Sequence, residues 1–273
     1  MELLDIEKLE QKYLEKYYYF LKYALDEILI GFDTKNKIKD DWIREWLKNI
    51  KEDKNKGISD FAVGAERIIY AMLNGKGIGQ PNSSPIGSDL FFEVHDAFIH
   101  IDLKTVQTDN IGDYTKNIFV GNNQNSYKTK VKVGNIIKEY KESNLPKFYT
   151  YFDDDKKIVK PCLTYFITIL YEAKNLKILN INLLNMPNGV LEEIYGGEIL
   201  QAGKVDYPVG DERRGKYMRS IRYKWTNCIE YKLLENKKRY KSIYYDQFLV
   251  EELFEKGLIS ENSKKLLNQY FLE

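Results

Sequence analysis

The sequence predicts an α/β fold in which a mixed central β-sheet is flanked by helices and preceded by a helical N-terminal extension. Three observations predict it: apolar residues recur at helical spacing near the N-terminus, two apolar β-rich runs follow later, and no internal repeat or linker divides the chain. The 273 residues are 43% hydrophobic and 30% charged, which is typical of a folded globular protein and excludes a disordered tail or a coiled-coil rod.

Helices are predicted to fill the N-terminal quarter. The first is long and amphipathic and is expected to end at Gly31, the second begins at Asp41, and the third begins near Ser59. We interpret residues 1–58 as a helical extension that serves packing or dimerisation, and residues 59–273 as the core.

Strands are predicted to follow a glycine-rich loop. Residues 89–94 and 97–106 are strand candidates joined by only two residues, which is short enough for a hairpin. The polar segment after them is expected to pass into a helix that ends near Ser143. The apolar runs 163–171 and 176–184 are predicted to be buried central strands.

The predicted hairpin carries the residues most suited to chemistry. Side chains alternate along a strand, so Asp102 and Lys104 share a face, and the hairpin can bring Asp89 close to Asp102. Two carboxylates and one ammonium are what Mg²⁺-dependent phosphodiester hydrolysis needs. Asp-x-Lys recurs elsewhere in this lysine-rich chain, but only here inside an alternating strand. The alternative is an ion pair on a solvated sheet face.

The two segments resemble a known motif. Residues 85–89 (PIGSD) followed by residues 101–105 (IDLKT) resemble the PD-(D/E)XK nuclease motif, and the order of later segments over residues 60–240 resembles the blunt-cutting branch of type II restriction endonucleases. Pro85 lies four positions before Asp89 instead of beside it, which leaves metal ligation unaffected because proline is not a ligand. The resemblance implies a PD-(D/E)XK core in which Asp89 and Asp102 bind Mg²⁺ and act in catalysis with Lys104.

A further carboxylate is implied by the same resemblance. Glu66 lies on the predicted helix before the glycine-rich loop, where several members of the superfamily place a carboxylate that completes the metal site. The alternative is a surface glutamate paired with a cation on the next helical turn.

DNA contacts are predicted in two polar clusters and one basic block. Residues 204–241 carry twelve Lys/Arg against five Asp/Glu, and this mixture of basic and aromatic residues suits phosphate contact plus stacking or packing on nucleic acid. The aromatic residues are Tyr207, Tyr217, Tyr223, Trp225 and Tyr231. Amide and basic side chains can read base edges. The candidates are Asn122, Asn123, Gln124 and Asn125 in the first cluster, Gln201 and Lys204 in the second, and Arg213 and Arg214 for phosphate contact. The alternatives are turn chemistry for the amides and a solvated helical face for the basic block.

The sequence therefore predicts a type II restriction endonuclease that cuts both strands of double-stranded DNA at a short, palindromic site and acts as a homodimer. A structure-specific repair or recombination nuclease of the same fold and a non-catalytic DNA-binding protein stay open as alternatives. No apolar run approaches the length of a membrane span, and the two cysteines, 66 residues apart, indicate reduced thiols, so we expect a cytoplasmic protein without membrane contact.

Overall fold

The computed structural model of the chain describes residues 1–37, 65–73, 89–121, 124–127, 129–133, 136–140, 145–205 and 219–272. The helices in these ranges are α1 (Leu3–Tyr23), α2 (Leu25–Lys37), α3 (65–73), α4 (Gly112–Thr115), α5 (Glu192–Ile199), α6 (Gln247–Glu255) and α7 (Glu261–Phe271). The strands are β1 (Leu90–Glu93), β2 (Phe98–Gln107), β3 (Ile118–Phe119), β4 (Thr129–Val133), β5 (Ile136–Tyr140), β6 (Phe148–Asp153), β7 (Lys156–Tyr171), β8 (Ile178–Met186), β9 (Leu200–Val205), β10 (Arg219–Tyr223) and β11 (Tyr240–Tyr245).

A mixed six-stranded sheet forms the centre of the molecule, as predicted. Its order is β1-β2-β7-β8-β11, and β6 pairs with the first part of β7. Only β2 and β7 run parallel among these pairs; the others are antiparallel. A parallel pair needs a long crossover. The segment between β2 and β7 provides it and contains the small strand β3, which joins β10 and β9 in a separate three-stranded sheet.

The central strand β7 has a core on each of its faces. Tyr165 and Ile167 pack with α1, α2 and α3, whereas Phe166 and Leu170 pack with α5, α6 and α7. Both sets are almost fully buried, so the sheet is covered by helices on both sides. This two-sided burial explains why residues 163–171 read as a continuous apolar run rather than as an alternating one.

Helix α1 is tied to the sheet by a buried charge cluster. Glu7 and Glu10 are fully buried and pair with Arg239, whose Nη2 donates to Glu7 Oε1 at 2.8 Å and whose Nη1 donates to Glu10 Oε2 at 2.8 Å. The guanidinium lies between the rings of Tyr195 and Tyr231, at 4.5 and 4.1 Å from their centroids. The first helix is therefore packed into the fold. The predicted boundary at residue 58 lies outside the described residues, and the division at that boundary stays a prediction.

Two predicted elements are wrong. The helix expected to end at Gly31 continues as α2 to Lys37. A Cβ at position 31 would lie 3.2 Å from Ile68 Cδ1, so the glycine allows α2 and α3 to approach closely instead of ending the helix. The helix expected to end near Ser143 is replaced by the antiparallel pair β4–β5.

The predicted helix at Asp41 lies outside the described residues. No helix in the described part of the chain is long and apolar enough to cross a bilayer.

Candidate active site

The β1–β2 hairpin brings the two predicted aspartates together. Asp89 directly precedes β1, whose first residue pairs with Ile101, so Asp89 lies opposite Asp102 on β2. Its Oδ2 accepts a hydrogen bond from Leu103 N at 2.6 Å, and its carboxylate lies close enough to that of Asp102 to raise the Asp102 pKa. The antiparallel register thus produces the convergence that the spacing predicts.

Asp102 and Lys104 form an ion pair in a buried environment. Asp102 is only 3% exposed and the Lys104 side chain 14%, so this face of β2 is not the solvated face of the alternative interpretation. Burial raises the pKa of Asp102 to about 8. The Lys104 ammonium opposes this rise, while the neighbouring Asp89 carboxylate adds to it.

Glu66 on α3 lies within electrostatic reach of the hairpin. Its pKa is raised, first by partial burial and second by the negative charge of Asp89, whereas Arg67 and Lys104 act in the opposite direction. The structure therefore places four charged residues in one neighbourhood: Glu66, Asp89, Asp102 and Lys104.

Two neighbours of Lys104 were not predicted as site residues. His100 shares its face of β2, is fully buried, and has no hydrogen-bond partner on either ring nitrogen among the described residues. Burial lowers its pKa to about 3, with a smaller contribution from Lys104, so the imidazole is neutral.

The second neighbour is Phe119, whose ring centroid lies 5.5 Å from Lys104 Nζ and which is 45% exposed. Strand alternation places Phe119 on the face opposite that of Ile118 and Val120, and this pattern is the sequence signal from which an exposed Phe119 could have been predicted.

The asparagine-rich cluster is described at two of its four positions. Gln124 Oε1 accepts a hydrogen bond from Lys104 Nζ at 2.8 Å, which brings this loop to the site. Asn125 is 2% exposed; its Nδ2 donates to Gly121 O and its Oδ1 accepts from Tyr127 N, both at 3.0 Å, so its amide closes the loop and is not available to a base. Asn122 and Asn123 lie outside the described residues.

The three-stranded sheet carries the second predicted cluster. Gln201 on β9 lies opposite Arg222 on β10, and Arg222 lies opposite Phe119 on β3, so these three side chains share one face. Arg222 Nη1 lies 3.4 Å from Asp113 Oδ2. The other face packs into the core. The side chain of Lys204 and the whole of Arg213 and Arg214 lie outside the described residues.

The basic block is only partly a surface. Arg239, counted in it, is buried with Glu7 and Glu10, and three of its aromatic residues are core residues with at most 2% exposure: Tyr223, Trp225 and Tyr231. The prediction that these aromatics stack on nucleic acid is wrong, because each packs inside the fold. Tyr207 and Tyr217 lie outside the described residues.

The Asp89–Asp102 pair has the chemistry of a divalent cation site. In the described part of the chain no group of three or more His, Cys, Asp or Glu is placed to hold a metal ion. The carboxylates of Asp89 and Asp102 nevertheless lie close together. Asp102 Oδ2 is buried, and its partner among the described residues is the Lys104 ammonium, with which it forms an ion pair but no hydrogen bond of regular geometry. Hard carboxylate oxygens that repel each other fit Mg²⁺, whose charge would favour both ionised forms.

Comparison with known proteins gives a family match and similar solved structures, two of which are described here. Residues 2–175 match the family described as type II restriction enzyme MwoI, N-terminal domain. The tetrameric restriction endonuclease SfiI bound to cognate DNA superposes with a TM-score of 0.64 at 12% identity, over 90% of this chain and 87% of that one. The restriction endonuclease BglI bound to its DNA recognition sequence superposes with a TM-score of 0.63 at 14% identity, over 87% of this chain and 90% of that one. At these identities the two structures show a shared fold. Comparison with curated proteins gives no match.

Proposed function

Because this chain belongs to the family of the type II restriction enzyme MwoI N-terminal domain, and is thus a site-specific DNA nuclease, we propose that it hydrolyses both strands of double-stranded DNA at a short palindromic site with Mg²⁺ as cofactor. The observation that supports the reaction is the convergence of Asp89, Asp102 and Lys104 on the β1–β2 hairpin. These residues form a PD-(D/E)XK-type site. Family membership favours sequence-directed cleavage over both alternatives, structure-specific cleavage and binding without catalysis.

Asp89 and Asp102 would hold the cation, whereas Glu66 acts on this pair through its negative charge and is not placed with them as a third ligand. When bound, Mg²⁺ supplies Lewis-acid stabilisation of the charge that develops on the phosphate. Lys104 keeps its ammonium at the edge of the buried site, where a partly exposed cation can orient the attacking water and offset negative charge in the transition state. The buried surroundings strengthen both effects, because charges interact more strongly where water is excluded.

The DNA lies along the outer face of the three-stranded sheet. Phe119 joins this face to the site, since its exposed ring lies beside Lys104, and Arg222 and Gln201 continue the row away from it. A base edge placed there would meet an amide and a guanidinium, the groups that pair with adenine and guanine. The SfiI and BglI structures, which share this fold, are bound to DNA, and this supports DNA binding by the chain.

The enzyme acts as a homodimer, because a DNA site with two-fold symmetry calls for two active centres related by the same symmetry. Its place of action is the cytoplasm. The SfiI structure is tetrameric, so sedimentation equilibrium with and without DNA is the measurement that decides the assembly. Sequencing the ends of cleaved DNA tests the resemblance to blunt-cutting enzymes.

The function is tested by digestion of a plasmid of known sequence. We expect discrete fragments with Mg²⁺, all ending at one short motif, and no cleavage with a chelator. Fragments that begin at junctions or mismatches would favour a structure-specific nuclease, and binding without cleavage at any divalent ion would contradict the proposal.

Gln201→Ala is expected to weaken binding to the cognate duplex by about 1–3 kcal/mol and to leave binding to a one-base-altered duplex nearly unchanged, because an amide that reads a base contributes only at the correct base. The same expectation applies to Asn123→Ala. Fluorescence anisotropy at fixed salt measures both dissociation constants. Gln11→Ala removes an amide on α1 and serves as the matched control. Equal losses on the two duplexes would contradict base reading.

Arg213→Ala combined with Arg214→Ala is expected to weaken binding to any DNA and to reduce the slope of log K against log salt by about 2. The reason is that each arginine that contacts a phosphate releases about one counterion from the DNA, and the variant lacks two such contacts. The control replaces Lys156 and Lys157, two adjacent exposed lysines, and changes the net charge equally. An unchanged slope in the arginine variant would place these residues away from the DNA.

A further inference from the structure

We propose that Gln124, predicted from the sequence as a base reader, is instead a positioning residue that holds the Lys104 ammonium in place for DNA cleavage. The inference rests on the proposed role of Lys104 in the nuclease site. Its basis is a single amide oxygen, Gln124 Oε1, which accepts hydrogen bonds from Lys104 Nζ and from Gly121 N, each at 2.8 Å.

The bond to Gly121 N makes this oxygen a fixed point. An amide oxygen has two lone pairs, and here the main chain and the lysine each use one. Gln124 N in turn donates to Gly121 O at 3.0 Å, and Asn125 Nδ2 donates to the same oxygen. The side chain is therefore held at both ends by its own loop.

The loop that carries Gln124 is anchored to the rest of the fold. Gly189 N donates to Ser126 Oγ at 2.8 Å, and Tyr127 packs in the core beside β8 and α5. A Cβ at position 121 would lie 3.4 Å from Gln124 Oε1, which is an ordinary van der Waals distance, so the amide that contacts Lys104 lies directly against the Gly121 main chain. The anchoring makes Gln124 a rigid support rather than a mobile reading side chain.

Lysine needs such a support because its flexible four-carbon stem can adopt many rotamers. Asp102 pairs with the ammonium from one side and Gln124 accepts from it on another, so two partners define its position. Gln124 supplies its contact without charge. Lys104 is thereby oriented while its positive charge stays available to the phosphate. A second carboxylate in place of the amide would partly neutralise that charge.

The inference is tested by Gln124→Met, which keeps the length of the side chain and removes the acceptor. Single-turnover cleavage of the cognate duplex is measured with enzyme in excess, and binding is measured by anisotropy without divalent metal. We expect the rate constant to fall about 10- to 100-fold, because a displaced reacting group loses that much. We expect the reaction amplitude and the dissociation constant to stay close to the wild-type values.

Three results would overturn the positioning role. A wild-type rate constant would show that the amide is not needed. A lower amplitude at an unchanged rate constant would show a fold defect, because fewer molecules would be active. A binding loss confined to the cognate duplex would show base reading instead.

Two further variants complete the experiment. Gln124→Asn keeps the amide but shortens its reach, and we expect a reduced rate constant from it as well; a wild-type rate would overturn the inference even if Gln124→Met did not fold. Gln107→Met makes the same substitution on β2, where the amide donates to Tyr171 OH at 3.1 Å, and should leave the rate within about twofold. The wild-type plasmid digest is performed first, so failure of the proposed function is seen there and separately.

Discussion

Lys104→Ala is expected to lower the single-turnover cleavage rate by at least about 100-fold while cognate DNA is still bound, because the ammonium acts on charge that develops during hydrolysis. Asp102→Ala should have the same effect, since it removes a proposed cation ligand. Asp89→Asn should match Asp102→Asn for the same reason. Calorimetric titration of Mg²⁺ in the presence of DNA is expected to lose its heat in both aspartate variants.

The matched control for this prediction is Lys160→Ala. Lys160 also forms an ion pair with a carboxylate of the hairpin, but its partner is Glu93, at the end of β1 far from Asp89. Its removal is therefore expected to leave the cleavage rate unchanged. Near-normal turnover by Lys104→Ala, or an equal loss in the control, would contradict the site.

Arg239→Met is expected to lower the free energy of unfolding by about 3–5 kcal/mol, because it leaves Glu7 and Glu10 buried without their cation. The arginine is 1% exposed, and burial already raises the pKa of Glu10 against the opposing effect of Arg239. Urea titration followed by circular dichroism measures the change. Adding Glu7→Gln and Glu10→Gln to the variant should recover part of the loss by removing the unpaired charges.

The control for stability is Lys256→Ala, which breaks an exposed ion pair with Glu252 within α6 and the turn that follows it. Exposed pairs of this kind contribute about 0.3–0.5 kcal/mol. A loss in Arg239→Met no greater than in this control would mean that water reaches the two glutamates after the substitution.

The hairpin and its aspartates could be predicted because the information is local. Strand alternation fixes the faces of Asp102 and Lys104, and a short connection fixes their partner strand. The central strands β7 and β8 were predictable for a similar reason, since burial on both faces produces uninterrupted apolar runs.

Features that depend on distant partners could not be predicted. Glu7 and Glu10 lie 232 and 229 positions from Arg239, and nothing near them in the sequence indicates that they meet this residue of the basic block. Gly31 likewise reads as a helix end unless Ile68 is known to pack against it.

The asparagine-rich cluster shows a different difficulty. Gln124 and Asn125 are adjacent and both carry amides, yet one contacts the proposed catalytic lysine and the other closes the loop. Residue type indicates what an amide can bond but not which groups the fold brings to it.

The contact between α1 and Arg239 has a consequence for how the enzyme is made. Glu10 and its arginine are 229 positions apart, so a ribosome that adds about 5–20 residues per second needs about 10–50 s to synthesise the second partner after the first. During that interval the glutamates cannot be buried as a pair. The buried charge cluster that fixes α1 to the sheet is thus completed only when nearly the whole chain has been synthesised.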